Sequence, residues 1–166
     1  MKLLIFIIAF FITIKVYAAC DDLPSKEVDF TGCNFVENQE WSGASLVGAQ
    51  MEGINLSLAN LEKSQIANAH MVAGNFVFTN FSSSNLFSSN IQFANCSNAN
   101  FDNSNLAKVN FEGTNLFSAS FKGANLYEAN LTGANIVGAI FEEANLSGAI
   151  WIDGKTCALG SVGACN

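Results

Sequence analysis

Over residues 41–151 every fifth residue is large and apolar, beginning Trp41, Leu46, Met51, Leu56 and ending Ile136, Phe141, Leu146, Trp151. The series holds for 23 consecutive positions, and its one small member is Cys96. Two residues before each centre stands Ala, Ser, Gly or Thr, with Gln39, Ile54 and Val109 as departures, and the residue directly before is most often Asn. The unit is plainest in Ala124-Asn125-Leu126, Ala129-Asn130-Leu131 and Ala134-Asn135-Ile136.

A period of five suits neither regular element. In an α-helix five residues advance about 500°, which sets successive centres about 140° apart, and in a flat strand odd spacing sends them to opposite faces. One geometry that buries the whole series is a coiled backbone turning a corner every five residues, so that each centre points inward and stacks on a centre of the coil below. The small residue two places earlier shares that interior, which makes Ile54 and Val109 tight fits. Asn before the centre is expected to bond backbone groups at the corners, as scaffold and not as a ligand-binding ladder.

This Ala-Asn-Leu-x-x pattern, sustained over some 115 residues, closely resembles the pentapeptide-repeat family. The resemblance implies an all-β fold, a right-handed quadrilateral β-helix with twenty residues per coil; the period of five does not itself fix the number of sides. At about 4.8 Å per coil the repeats would make five to six coils, a rod roughly 27 Å tall.

The chain before the repeats reads differently. Lys2 precedes an apolar run over residues 3–14, and Val16-Tyr17-Ala18 supplies small residues where a signal peptidase reads, so residues 1–18 are expected to be a signal peptide cleaved after Ala18. Lys15 interrupts the run too early for a membrane-spanning helix, which needs about 20 apolar residues. Lipid attachment at Cys20 is the alternative, and Tyr17 fits it poorly. The remaining divisions are an N-terminal cap segment at 19–38, the β-helix at 39–153 and a C-terminal disulfide cap at 154–166. The expected destination is periplasmic or extracellular, and membrane contact is expected only through the uncleaved signal peptide.

Export makes the cysteines readable as bridges. Four of the five form two close pairs at the ends of the chain, Cys20 with Cys33 and Cys157 with Cys165, and Cys96 stands alone at an inward centre as a buried, free thiol. Metal binding is the competing use of the end cysteines, but their spacing and the distant single His70 match no zinc pattern. Phe30 and Phe35 keep the spacing of five yet sit one residue out of register with Trp41, so the first partial coil carries an inserted residue. The stretches Asp29-Phe30-Thr31-Gly32-Cys33 and Trp151-x-Asp153-Gly154-x-x-Cys157 also resemble the cysteine-containing ends of exported bacterial members of the family.

Charge narrows the functional classes. The full chain has a formal net charge of −7, and removing Lys2 and Lys15 would leave five lysines against fourteen carboxylates, or −9. With no arginine and no basic face, nucleic-acid binding is disfavoured. Family members that imitate a DNA duplex and occupy a topoisomerase imply one alternative, and members acting as effectors inside host cells imply another. On the cylinder, however, Glu52, Glu62, Asp102, Glu112, Glu128, Glu142, Glu143 and Asp153 are interspersed with Lys63, Lys108, Lys122 and Lys155. One histidine and few charges also offer little for catalysis, so no enzyme activity, catalytic residue, metal, cofactor or small-molecule substrate is expected, and His70 is read as a polar corner residue.

If the coil is twenty residues long, residues twenty apart stack on the outside. Ser57, Val77, Ser97, Phe117 and Val137 then form one column beside Leu58, Phe78, Asn98, Ser118 and Gly138. Leu58, Val77, Phe78, Phe117 and Val137 give that wall an apolar character and make it the candidate contact surface for an unidentified protein partner. Phe87 and Tyr127 share another column, separated by Ala107. A homodimer is the other partnership the sequence allows.

Overall fold

The computed structural model describes residues 20–35 and 38–166, so the expected signal peptide at 1–18 lies outside the described residues. Parallel bridges join each residue before a centre to its counterpart twenty residues on, as in Asn85 with Asn105 and Asn105 with Asn125. A tight turn follows every centre, so each twenty-residue coil has four turns and four faces. Face 1 is centred on Trp41, Leu61, Phe81, Phe101, Phe121 and Phe141, face 2 on Leu46, Ile66, Leu86, Leu106, Leu126 and Leu146, face 3 on Met51, Met71, Ile91, Phe111, Leu131 and Trp151, and face 4 on Leu56, Phe76, Cys96, Leu116 and Ile136. These side chains form one continuous core, fully or nearly buried except for Ile136 and Trp151 at the C-terminal end.

Four backbone hydrogen bonds recur along the coils and take up most of the polar groups of each unit. The amide of a centre donates upward, Phe81 N–H to Asn100 O at 2.7 Å, as does the second turn residue, Ser83 N–H to Asp102 O at 2.8 Å; the amide before the centre donates downward, Asn80 N–H to Ala59 O at 2.9 Å; and the turn is closed by Ser84 N–H donating to Phe81 O at 3.1 Å. The side chain of Asn adds a second layer. Asn85 Oδ1 accepts from Phe87 N–H at 3.2 Å and from Asn105 Nδ2 at 3.1 Å, while Asn105 Oδ1 accepts from Asn125 Nδ2 at 3.3 Å. Each such asparagine therefore fixes its own corner and clips its coil to the next. Where Ser or Thr takes the inward small position, its hydroxyl is returned to a carbonyl, as Thr79 Oγ1 to Leu56 O and Thr114 Oγ1 to Ile91 O.

The interior shows why aromatic centres are tolerated in number. On face 1, Phe81, Phe101, Phe121 and Phe141 stack with centroids 5.0, 5.1 and 4.9 Å apart and planes within 7°, matching the rise of the coil. Phe111, across the lumen on face 3, meets Phe101 and Phe121 edge-on at 5.7 and 6.0 Å. Both arrangements are ones that aromatic quadrupoles favour. Ile54 and Val109 are wholly buried beside the centres.

At the N-terminal end the bridges step by 21 residues, Asp29 with Gln50 and Asn34 with Asn55, whereas Glu40 with Asn60 steps by 20. The register changes by one residue between these pairs, and Phe30, Phe35 and Trp41 form a triangle of ring contacts at 5.0 to 5.5 Å that closes the lumen. Cys20 and Cys33 are disulfide-bonded there. At the other end the chain turns back after Trp151, and residues 155–163 run antiparallel over the last coil, with Thr156 opposite Ile150 and Val162 opposite Asn145. A Cys157–Cys165 disulfide fastens this strap.

Candidate interaction surface

Every corner places its second turn residue near φ +60°, a left-handed conformation that costs an L-residue roughly 1–2 kcal/mol and that glycine adopts freely. Gly48, Gly123 and Gly133 meet this requirement, but Leu58 and Phe78 adopt it at φ 63° and 57° while leaving more than half of their area in water. Both lie at the corner leading from face 4 to face 1. Phe117 and Val137 stand at the same corner two and three coils above Phe78, 45% and 65% exposed, and Val77 is half-buried beside Phe78. Ser97 and Asn98 interrupt the column between them.

The structure adds Phe93, at the opposite edge of face 4, 62% exposed and also left-handed at φ 58°. Its ring lies over Gly113, where a Cβ would approach to 2.7 Å. The sequence signal is a lone aromatic in the otherwise small column Gly53, Ala73, Phe93, Gly113, Gly133, one large side chain roofing a glycine, which a pattern of repeated apolar residues does not contain.

Between these two apolar edges face 4 carries an uncharged ladder, Asn34, Asn55, Asn75, Asn95, Asn115 and Asn135. Asn75 Nδ2 donates to Asn55 Oδ1 at 2.9 Å and Asn115 Nδ2 to Asn95 Oδ1 at 3.1 Å. Apart from Glu52 and Glu112 at the corner that carries Phe93, the charges of the cylinder lie on the other faces, mostly in exposed pairs: Lys122 with Glu142 at 3.0 Å, Lys108 with Glu128 at 3.5 Å and Lys155 with Asp153 at 2.7 Å. Glu142 raises the proton affinity of Lys122, and the Tyr127 hydroxyl, followed by Lys108, holds Glu128 below the usual carboxylate range. Phe87 and Tyr127 cover Ala107 between them, which is 7% exposed, so that column makes a small apolar rib and not a gap.

His70 sits on the outside of face 3 between Gln50 and Asn90, in an asparagine slot. Cys96 is a free thiol inside face 4, and burial alone pushes its pKa far up, so it is inert in the folded chain. Among the described residues no cluster of His, Cys, Asp or Glu is placed to hold a metal ion, and no helix is long and apolar enough to cross a membrane.

Pentapeptide repeats match the chain in eight copies over residues 42–72, 94–133 and 124–150, more than half of its length. No curated protein matches it. Among solved structures, the pentapeptide-repeat protein Rfr23 from the cyanobacterium Cyanothece 51142 is similar at 25% identity and TM-score 0.52, covering 73% of this chain and 85% of that one. HetL, a pentapeptide-repeat protein involved in heterocyst differentiation regulation from Nostoc sp. strain PCC 7120, aligns at 23% identity and TM-score 0.36 over 78% of this chain and 70% of its own. QnrB1, a plasmid-mediated fluoroquinolone resistance protein, aligns at 16% identity and TM-score 0.37 over 75% and 76%. Of these three, Rfr23 alone superposes closely enough to bear on the fold. Coils of twenty residues, four inward centres per coil and eight matched repeat copies place this chain in the pentapeptide-repeat family, whose fold is a right-handed quadrilateral β-helix.

Proposed function

We propose that this chain is an exported, non-enzymatic scaffold that binds a protein partner along face 4. One observation carries the reading: Leu58, Phe78 and Phe93 hold bulky apolar side chains in water at left-handed corners where Gly, Asn, Ser, Ala, Lys or Glu serves elsewhere in the same solenoid. The left-handed backbone is common to all the corners, and what sets these three apart is the large apolar area they leave in water, a mark of recognition surfaces. The uncharged ladder between them suits a contact that must be desolvated. Two end disulfides favour an oxidising compartment. Duplex imitation is disfavoured, since half of the eight acids of the cylinder, Glu62, Glu128, Glu142 and Asp153, pair with lysines and break up any continuous negative face.

Affinity capture from the producing organism tests the surface. The wild type should retain a protein that the Phe78→Ser/Phe117→Ser variant loses, and equal capture by both would remove face 4 from consideration. Fractionation with sequencing of the mature N-terminus tests export: a chain beginning at Ala19 outside the cytoplasm is expected, and an uncleaved cytoplasmic product would overturn it.

A further inference from the structure

The C-terminal strap closes only half of the tube. It covers faces 2 and 3, where Leu146 N–H donates to Ser161 O, Gly163 N–H to Ala144 O, Cys157 N–H to Ala149 O and Trp151 N–H to Lys155 O. Over faces 4 and 1 the last coil carries no hydrogen-bonded layer among the described residues, and the strap reaches only as far as Gly163 beside Phe141 O, at the corner leading to face 2. One coil lower, Leu116 N–H donates to Asn135 O, Phe121 N–H to Ile140 O, and Thr114 O and Ala119 O each accept an amide. The equivalent groups at the top, Ala134 O, Ile136 N–H, Ala139 O and Phe141 N–H, make no hydrogen bond among the described residues. Beside them Ile136 and Ala139 are only partly buried, and Ile140 and Val137 are exposed. An apolar strand edge free of charge and proline is the kind that proteins ordinarily cover.

The strap has a matching free edge. Thr156 and Val162 each face their bridge partner with neighbouring groups, so their own N–H and C=O point away from the coil, and these too make no hydrogen bond among the described residues. Both residues are exposed.

We infer that a second copy of this chain completes the end, each strap filling the half-layer its partner leaves open. Turn a copy end over end about an axis perpendicular to the tube, so that its face 2 lies over face 1 and its face 3 over face 4. Its coil then runs antiparallel to the one below, and its strap, antiparallel to its own coil, runs parallel. A parallel bridge needs one residue's N–H and C=O set against the C=O and N–H that flank another, and this is what the two edges present. The partner's Val162 N–H donates to Ala139 O and its C=O accepts from Phe141 N–H, bracketing Ile140. The partner's Thr156 N–H donates to Ala134 O and its C=O accepts from Ile136 N–H, bracketing Asn135.

The register agrees as well. Residues 156 and 162 already span positions 150 and 145 of their own coil, and residues 135 and 140 have the same separation. Both halves of the joint close at one gap, two strand spacings of about 4.8 Å, and the two-fold axis repeats every bond. The outward columns bring Ile140 against the partner's Val162. Opposing this, Glu142 and Glu143 meet their counterparts across the axis at about 10 Å, near the screening length of physiological salt.

With opposite walls about 10 Å apart and side chains outside them, the end is roughly 20 Å across, a footprint of about 400 Å². The stepped contact enlarges this to the low end of specific interfaces, so a dimer of roughly micromolar affinity is expected, strengthened by added salt.

Sedimentation of the oxidised protein at about 5 to 500 µM spans that affinity. The wild type should pass from monomer to dimer, whereas Ile140→Lys and Val162→Lys, both at exposed positions, should stay monomeric with unchanged circular dichroism. Phe87→Lys on face 2 should dimerise as the wild type does. Oxidised Ile140→Cys/Val162→Cys should run as a covalent dimer on a non-reducing gel, because these positions lie on different faces within one chain. A wild type that remains monomeric throughout, a dimer that survives both lysine variants, or a double-cysteine variant that gives no covalent dimer would overturn the joint; none of these outcomes bears on capture at face 4.

Discussion

Phe101 offers the sharpest test of how the solenoid is held together. Its ring is fully buried, stacked on Phe81 at 5.0 Å and on Phe121 at 5.1 Å, and meets Phe111 edge-on at 5.7 Å. Phe101→Ala removes the transfer term and leaves a cavity bounded by coils that cannot collapse without breaking their ladders, so the loss should be about 3–5 kcal/mol. Phe101→Leu keeps most of the apolar volume but forfeits the ring geometry, and should cost about 1–2 kcal/mol. Because coils touch only their neighbours, a double-mutant cycle of Phe101 with Phe121 should show coupling of about 0.5–1.5 kcal/mol. Phe81 with Phe141, three coils apart at about 15 Å, should be additive within about 0.5 kcal/mol. Equilibrium unfolding in urea supplies all of these values. A Phe101→Ala loss below about 1 kcal/mol, or equal coupling in both cycles, would refute a core built of nearest-neighbour layers.

Other consequences can be checked as directly. Asn105→Ala removes both ladder bonds and the Ala107 N–H bond and should cost about 1–3 kcal/mol in urea unfolding, more than Ser82→Ala on a corner. Phe78→Asn should change stability by less than about 1 kcal/mol, since Asn accepts the left-handed corner, while abolishing partner capture. Unreduced mass spectrometry should find two bridges and one thiol, and Cys96 should resist alkylation until the chain is unfolded, as its burial requires. Asp29, Glu128 and Asp153 have lowered pKa values in the fold. Their contribution is therefore complete above the ordinary carboxylate range and lost as pH falls through the folded values, so a melting series should decline on acidification there; a rise would contradict these contacts.

The five-residue spacing made the inward set legible because burial imposes its period on every unit, and the slip between Phe35 and Trp41 marked the change of register before any coordinates. The number of faces was not legible from the period and came from the resemblance. Nor was the cross-coil role of asparagine, because Asn85 to Asn105 is a contact between residues a full coil apart, which a one-dimensional pattern cannot distinguish from local corner bonding. On the surface, columns of repeated apolar residues could be read off as soon as twenty residues per coil was assumed, whereas Phe93 depends on the empty space over Gly113. The half-covered end was least accessible, since it follows from where residues 155–163 fold back, and glycines and bridged cysteines constrain that path without specifying it.

The fold, its surface columns and the joint at its end all depend on a coil of twenty residues, and spin-label distances along one corner measure it most directly. Nitroxides at Ser42→Cys paired with Lys122→Cys and with Glu142→Cys, four and five coils apart by the observed register, should lie about 19 and 24 Å apart, a step of about 4.8 Å for each twenty residues. Two distances that are equal, that fall in the reverse order, or that differ by several times that step would contradict the account.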